Sequence, residues 1–160
     1  MKTASKQKLR LLYIIDILAS KSDEEHLLSA NDIIHFLKED YGIECERKTV
    51  YDCIDCLNEY GYEIIKSQSP RGYFMVPYHF ETAELRLLID AVQSANFISA
   101  KKTKALLKKF SAFASEYQYN RLEKQVYIDN RNKGSNENIF YNIDILNNAI
   151  LQKKQVDVVY

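Results

Sequence analysis

The stretch ERKTVYDCIDCLNEYGYEII, residues 46–65, changes its apolar period partway along, and that change restricts the fold more than any other feature of the chain. Val50, Cys53, Ile54 and Leu57 recur at i, i+3, i+4 and i+7, which places them on one face of an α-helix. Gly61 supplies a stop. Beyond it, YEIIKSQSPRGYFMVP reads as a strand, a turn at Ser69-Pro70-Arg71-Gly72 and a second strand.

Upstream, the apolar spacing predicts two more helices. Leu11, Ile14, Ile15 and Leu18 give one core face to a helix from Lys6 to about Ser20. KSDEEH reads as a charged turn, and HLLS is short enough for an edge strand. In SANDIIHFLKEDYG, Ser29 can cap a helix with Asp32 three residues on, a shorter relative of the capping box. Ala30, Ile33, Ile34 and Leu37 form its stripe, with His35 beside it as a half-buried residue, and Gly42 ends it.

Three helices and a hairpin in this order are the order of a winged helix-turn-helix. The expected fold class is mainly α with a small β-hairpin: a winged helix-turn-helix followed by a helical linker region. In that motif the third helix enters the DNA major groove by its first turns. Opposite the apolar stripe, at 100° per residue, lie Lys48, Tyr51, Asp52, Asp55 and Glu59. Arg47 and Lys48 can reach phosphates or guanine edges, and Thr49 and Tyr51 can donate to phosphate oxygens. Asp52 is expected to accept from Arg47 or Lys48, or from a cytosine amino group. Asp55 and Glu59 lie farther along, where a helix tipped into the groove has left it. The hairpin tip offers Ser69 and Arg71, with Lys66 and Tyr73 just outside it, to the sugar-phosphate backbone or the minor groove. On this reading Lys48→Ala weakens binding to every sequence, whereas Arg47→Ala relaxes specificity at one base.

After Pro77 the pattern turns helical again. Leu85, Leu88, Ile89 and Val92 share a side, and their helix is expected to expose enough apolar surface for a homodimer reading two half-sites. KKTKALLKKFSAFASEYQ continues as helix, its basic run Lys101–Lys109 being either a solvated face or a second surface for phosphates or an acidic helix. YIDNRNKGSNEN is a loop or linker, IFYNIDILNNAILQKK a further helix, and QVDVVY alternates like a strand. The expected division is 1–77 for the DNA-binding domain, 78–136 for a helical linker and dimerisation region, and 137–160 for the start of a further domain.

Charge gives the first half no help: residues 1–76 hold 10 Lys/Arg against 13 Asp/Glu, a net of −3. Any contact with DNA must come from local placement. That net charge favours a rival reading, a winged helix used as a protein-protein interaction module. Other chemistries find little. Three cysteines, Cys45, Cys53 and Cys56, cannot all pair, which suits a reducing cytoplasm. Cys53 and Cys56 form a CxxC in mid-helix, away from the helix start that lowers a thiol pKa, and His26, His35 and His79 have no ligand spacing. No metal, cofactor, catalytic constellation or membrane span is expected.

LLSANDIIHFLKEDYGIECERKTVYDCIDCLNEYGYEI, then RGYFMV and AELRLLIDAVQSANFIS, resembles bacterial transcription regulators that join a winged helix to a WYL domain. KKTKALLKKF and NIFYNIDILNNAILQKKQVDVVY are similar to that family's linker and the opening strand of its WYL domain, so the resemblance covers nearly the whole chain. It implies double-stranded DNA as partner. It also implies a C-terminal domain, only begun in this chain, that takes an effector such as a nucleotide or nucleic acid.

Overall fold

The computed structural model describes residues 9–77, 79–124, 126, 133–136 and 138–157. The fold is mainly helical with one small two-stranded antiparallel sheet. Two compact units divide the chain: Met1–Arg86 with Phe110–Gln125, and Leu87–Lys109 with Val126–Tyr160.

The first unit opens with α1 (Arg10–Lys21), α2 (Ala30–Tyr41) and α3 (Arg47–Tyr60). α1 buries Ile14, Ile17 and Leu18, so its inner face is turned from the expected one and Leu11 is 37% exposed. The dense run Ile14, Ile15, Ile17, Leu18 allows either face, and packing selects between them. α2 starts where its cap requires. The Ser29 hydroxyl accepts from the Asp32 amide at 3.2 Å, and the Asp32 carboxylate accepts from the Ser29 amide at 2.8 Å. His35 is exposed on α2 rather than half-buried, because the stripe Ala30, Ile33, Leu37 leaves it on the solvent side. α3 buries Val50, Cys53, Ile54 and Leu57, as the spacing requires, and ends at Gly61 with φ 119°, a backbone that side chains other than hydrogen rarely adopt.

Strands β1 (Ile64–Gln68) and β2 (Arg71–Met75) pair with Ile64 opposite Met75, Lys66 opposite Tyr73 and Gln68 opposite Arg71. The turn is therefore only Ser69-Pro70, and Arg71 and Gly72, expected in the turn, open β2 instead. The edge strand expected at HLLS shrinks to one bridge: Leu28 and Tyr73 exchange backbone hydrogen bonds of 2.9 and 2.8 Å. α2 begins at Ala30, so the chain has no length left for more. Gly72 permits the bridge, since a Cβ there would sit 2.8 Å from Leu27 Cβ. Asn58 binds both backbone groups of Ile64, at 3.2 and 2.8 Å, and ties the end of α3 to β1. Ile14, Leu18, Ile33, Leu37, Val50 and Ile54 from the helices and Ile64 and Met75 from the sheet share one core. Each such side chain contributes about 1.5–3 kcal/mol by leaving water.

Next come α4 (Thr82–Ser94), α5 (Ala100–Phe110), a 3-10 turn at Ser111–Phe113, α6 (Glu116–Glu123) and α7 (Ile139–Leu151). The continuous helix expected through KKTKALLKKFSAFASEYQ is broken. Ala114 and Ser115 are extended, and Ser115 caps α6 in a reciprocal box with Gln118. A serine followed three residues later by glutamine offers the backbone a better-satisfied start than continuation. α6 belongs to the first unit, where it is fastened to the turn after α1. The Ser115 hydroxyl donates to the buried Asp23 carboxylate at 2.7 Å, the rings of Tyr117 and His26 stack at 3.7 Å, and Arg121 pairs with Glu25 at 2.8 Å.

In the second unit Ile89, Ile98, Thr103 and Leu107 are buried. Lys133 donates to the carbonyls of Val92, Gln93 and Ala95 at 3.3, 2.7 and 2.8 Å, satisfying acceptors that the end of α4 leaves open. Leu85, in the first unit, and Ile89, in the second, are only 1% and 3% exposed and Leu88 and Val92 are half-buried, so the stripe expected to form a dimer surface is largely covered, while Leu87 is an exposed apolar residue of α4. Most of the exposed large apolar side chains of the second unit lie on α7, among them Tyr141, Ile145, Ile150 and Leu151, with Leu87 and Phe97 exposed as well. Residues 154–157 are not in a strand, for want of a neighbouring strand among the described residues of that unit; the rest of the expected strand QVDVVY lies outside the described residues. Of the expected loop YIDNRNKGSNEN, residues 133–136 are irregular, and most of the remainder also falls outside. Among the described residues no helix is long and apolar enough to cross a membrane.

Candidate nucleic-acid interface

The outward face of α3 is the one that its sequence period assigns: Lys48, Tyr51, Asp52, Asp55 and Glu59 are exposed, together with Arg47 at the first position. Glu46, the residue before α3, makes no side-chain cap, and the first turn of the helix holds no acidic residue. Thr49 is half-buried.

The hairpin adds a second set of charges by its own period. Cross-strand partners point to the same face of a sheet. Ile64 and Met75 are buried on one face, and the next pairs outward on that face are Lys66–Tyr73 and Gln68–Arg71. The core face thus becomes cationic as it nears the turn. Where it emerges it borders the starts of α2 and α3 around a notch of about 190 Å³. Arg47, Lys66 and Arg71 line this notch with Ser29, Asn31, Tyr51, Gly72 and Tyr73, and no carboxylate does.

Arg47 does not pair with Asp52. Its Nε donates to Asn31 Oδ1 at 2.7 Å, and Asp52 makes no ion pair with Arg47 or Lys48 among the described residues. Five residues along a helix is a rotation of roughly 140°, which carries Arg47 and Asp52 apart. Lys48 and Asp52 are neighbours in spacing, but a base preceding an acid is the weaker orientation.

The Tyr51 and Tyr73 rings approach to 6.3 Å, tilted by 44°. Tyr73 is 9% exposed, hydrogen-bonded through its backbone to Leu28, and part of the core. Burial, and then the neighbouring Tyr51 phenol, push its pKa above the ordinary value, with Arg71 acting against them and Asp55 with them. Its ring is a wall of the notch.

The structure therefore brings Arg47, Tyr51, Arg71 and Tyr73 together. Lys48 and Asp52 stay on the open face of α3, and Ser69 stays at the exposed turn; none of these, nor Thr49, lines the notch. Ser29 and Asn31 join the site without a sequence signal for that role. Ser29 is legible only as a cap, and nothing in the sequence couples Asn31 to a side chain sixteen positions away.

A larger hollow of about 830 Å³ in the same unit is lined by Ile15, Ser22, Asp23, Phe74, Glu81 and Phe113 among others, with no lysine or arginine. It is unsuited to an anion. Cys53 is buried, Cys45 half-buried and Cys56 exposed, all three as free thiols. Among the described residues no group of three or more His, Cys, Asp or Glu could hold a metal ion. No protein-family model, curated protein or solved structure matches the chain.

Proposed function

We propose that the first unit is a winged helix-turn-helix that binds double-stranded DNA, with α3 in the major groove and the hairpin as its wing. More narrowly, the reading is of a transcription regulator of the WYL type, in the cytoplasm, whose C-terminal effector domain takes a nucleotide or nucleic acid and controls binding. The observation that carries the DNA reading is the gathering of Arg47, Lys66 and Arg71 at one notch without a carboxylate, in a half of the chain that is net acidic. Phosphate contacts fix register and orientation on a duplex and need placed cations more than bulk charge. Lys48, Thr49, Tyr51 and Asp52 on α3 are the candidates for the groove, with Ser69 and Arg71 for the backbone beside the wing. A homodimer reading two half-sites belongs to the proposal, with the exposed apolar residues of α7, rather than those of α4, as its contact surface.

The test is retention of the chain on a random-sequence duplex at low salt, followed by release with rising salt. DNA binding gives strong retention and steep release. The net −3 of residues 1–76 favours the rival, a protein-protein module, which gives little retention and a shallow dependence.

A further inference from the structure

We infer that the notch bounded by the hairpin and the starts of α2 and α3 seats a single phosphate group. Arg47 acts there as a backbone clamp oriented by Asn31, and not as the reader of a base edge. For the source of the phosphate, a DNA strand, this rests on the DNA-binding reading; for its geometry it does not.

Three cations reach the notch from three separate elements: Arg47 from α3, Lys66 from β1 and Arg71 from β2. None of them makes an ion pair among the described residues. Like charges held around one hollow with no carboxylate in its lining repel, and an oxyanion between them relieves the repulsion. The hydrogen bond from Arg47 Nε to Asn31 Oδ1, 2.7 Å long, fixes the plane of the guanidinium. It uses one of five donors and leaves the two terminal nitrogens, the pair that matches two oxygens of a phosphate. An arginine that reads guanine needs the same fork reaching outward along the groove, and this one is tethered sideways to α2. Ser29 already accepts from the Asp32 amide, yet its own hydroxyl hydrogen can still be donated to an oxyanion at the rim. Gly72 lines the notch with its backbone alone, since a Cβ there would turn to the other face of the hairpin, against Leu27.

The experiment uses the full chain and two probes. Inorganic phosphate, titrated while backbone amides are followed by NMR, should shift Ser29, Asn31, Arg47 and Gly72 saturably, and the shifts should vanish in a Lys66→Gln/Arg71→Gln variant. Duplex affinity is measured on a set of duplexes that differ by single base pairs. Arg47→Gln should weaken all of them by one common factor and lower the salt slope by about 0.9. Asn31→Ala should weaken each about fivefold, the equivalent of one hydrogen bond, without moving the thermal midpoint. In the Arg47→Gln background it should add little, because its effect passes through Arg47. A loss confined to duplexes changed at one base pair would overturn the clamp while leaving DNA binding intact. Absence of phosphate shifts together with an unchanged slope in Arg47→Gln would overturn the seat. Saturable phosphate shifts with no affinity for any duplex would keep the seat and remove DNA as its source.

Discussion

Asp23→Ala should unfold the first unit more readily than any other single change in the turn after α1. Asp23 is only 6% exposed, and its carboxylate accepts four hydrogen bonds. The donors are the Ser115 hydroxyl at 2.7 Å, the His26 ring at 2.7 Å, and the amides of Glu25 and His26 at 3.0 and 2.9 Å. A hydrogen bond to a charged group contributes about 1.5–3 kcal/mol, but the turn amides and the His26 ring regain water when Asp23 is removed. Counting the Ser115 bond and one bond within the turn gives a loss of about 3 kcal/mol, against a total of roughly 5–15 kcal/mol. That corresponds to a fall in Tm of roughly 12–24 °C for a unit of about 100 residues. Urea denaturation of wild type, Asp23→Ala and the exposed control Glu24→Ala measures it. The effect also depends on pH. Burial pushes the Asp23 carboxyl up, but the Ser115 hydroxyl, the His26 ring and the two amides outweigh it and hold the pKa below the ordinary value. A depressed folded pKa gives stability that is complete above the unfolded value of about 3.9 and is lost as pH falls through the folded one. The gap between wild type and Asp23→Ala should therefore hold steady from neutral pH to about pH 4 and close below it. A loss no larger than that of Glu24→Ala, or a gap unchanged in strong acid, would refute the reasoning.

Gly72→Ala should cost about 1–3 kcal/mol in the same denaturation assay, since the new Cβ would lie 2.8 Å from Leu27 Cβ and 3.3 Å from the Leu28 carbonyl oxygen. Cys53→Ser should destabilise by about 1–3 kcal/mol by placing a hydroxyl in the core. Cys56→Ser, on the exposed side of α3, should stay within about 0.5 kcal/mol. Lys133→Met should speed hydrogen exchange at the last turn of α4 by uncapping the carbonyls of Val92, Gln93 and Ala95; an unchanged exchange pattern would show that the cap contributes nothing.

How far the sequence carries the fold depends on whether one local signal dominates. α3 is legible because Val50, Cys53, Ile54 and Leu57 admit a single helical face, and α2 because Ser29 and Asp32 close a reciprocal cap. α1 is turned from its expected face because Ile14, Ile15, Ile17 and Leu18 crowd together and leave the choice to tertiary packing. The break before α6 escapes the periodicity because Phe110 and Phe113 continue the helical spacing, while the deciding signal, Ser115 with Gln118, is short and polar. In α4 the stripe itself is plain, but a stripe does not say whether the same chain or another one covers it. The notch is legible only in pieces. Arg47 and Arg71 stand out by position, yet the two-residue turn that aligns Lys66 with Arg71, and the Asn31–Arg47 bond across sixteen residues, follow from the packed hairpin and helices.

The most direct measurement is the slope of log affinity against log salt for a duplex, taken for the wild-type chain and for an Arg47→Gln/Lys66→Gln/Arg71→Gln variant. If the three cations meet DNA phosphates, the variant's slope is shallower by about 2.7, at about 0.9 for each cation removed. Identical slopes for the two proteins would mean that these side chains never touch the duplex, and the notch would no longer support the proposed function.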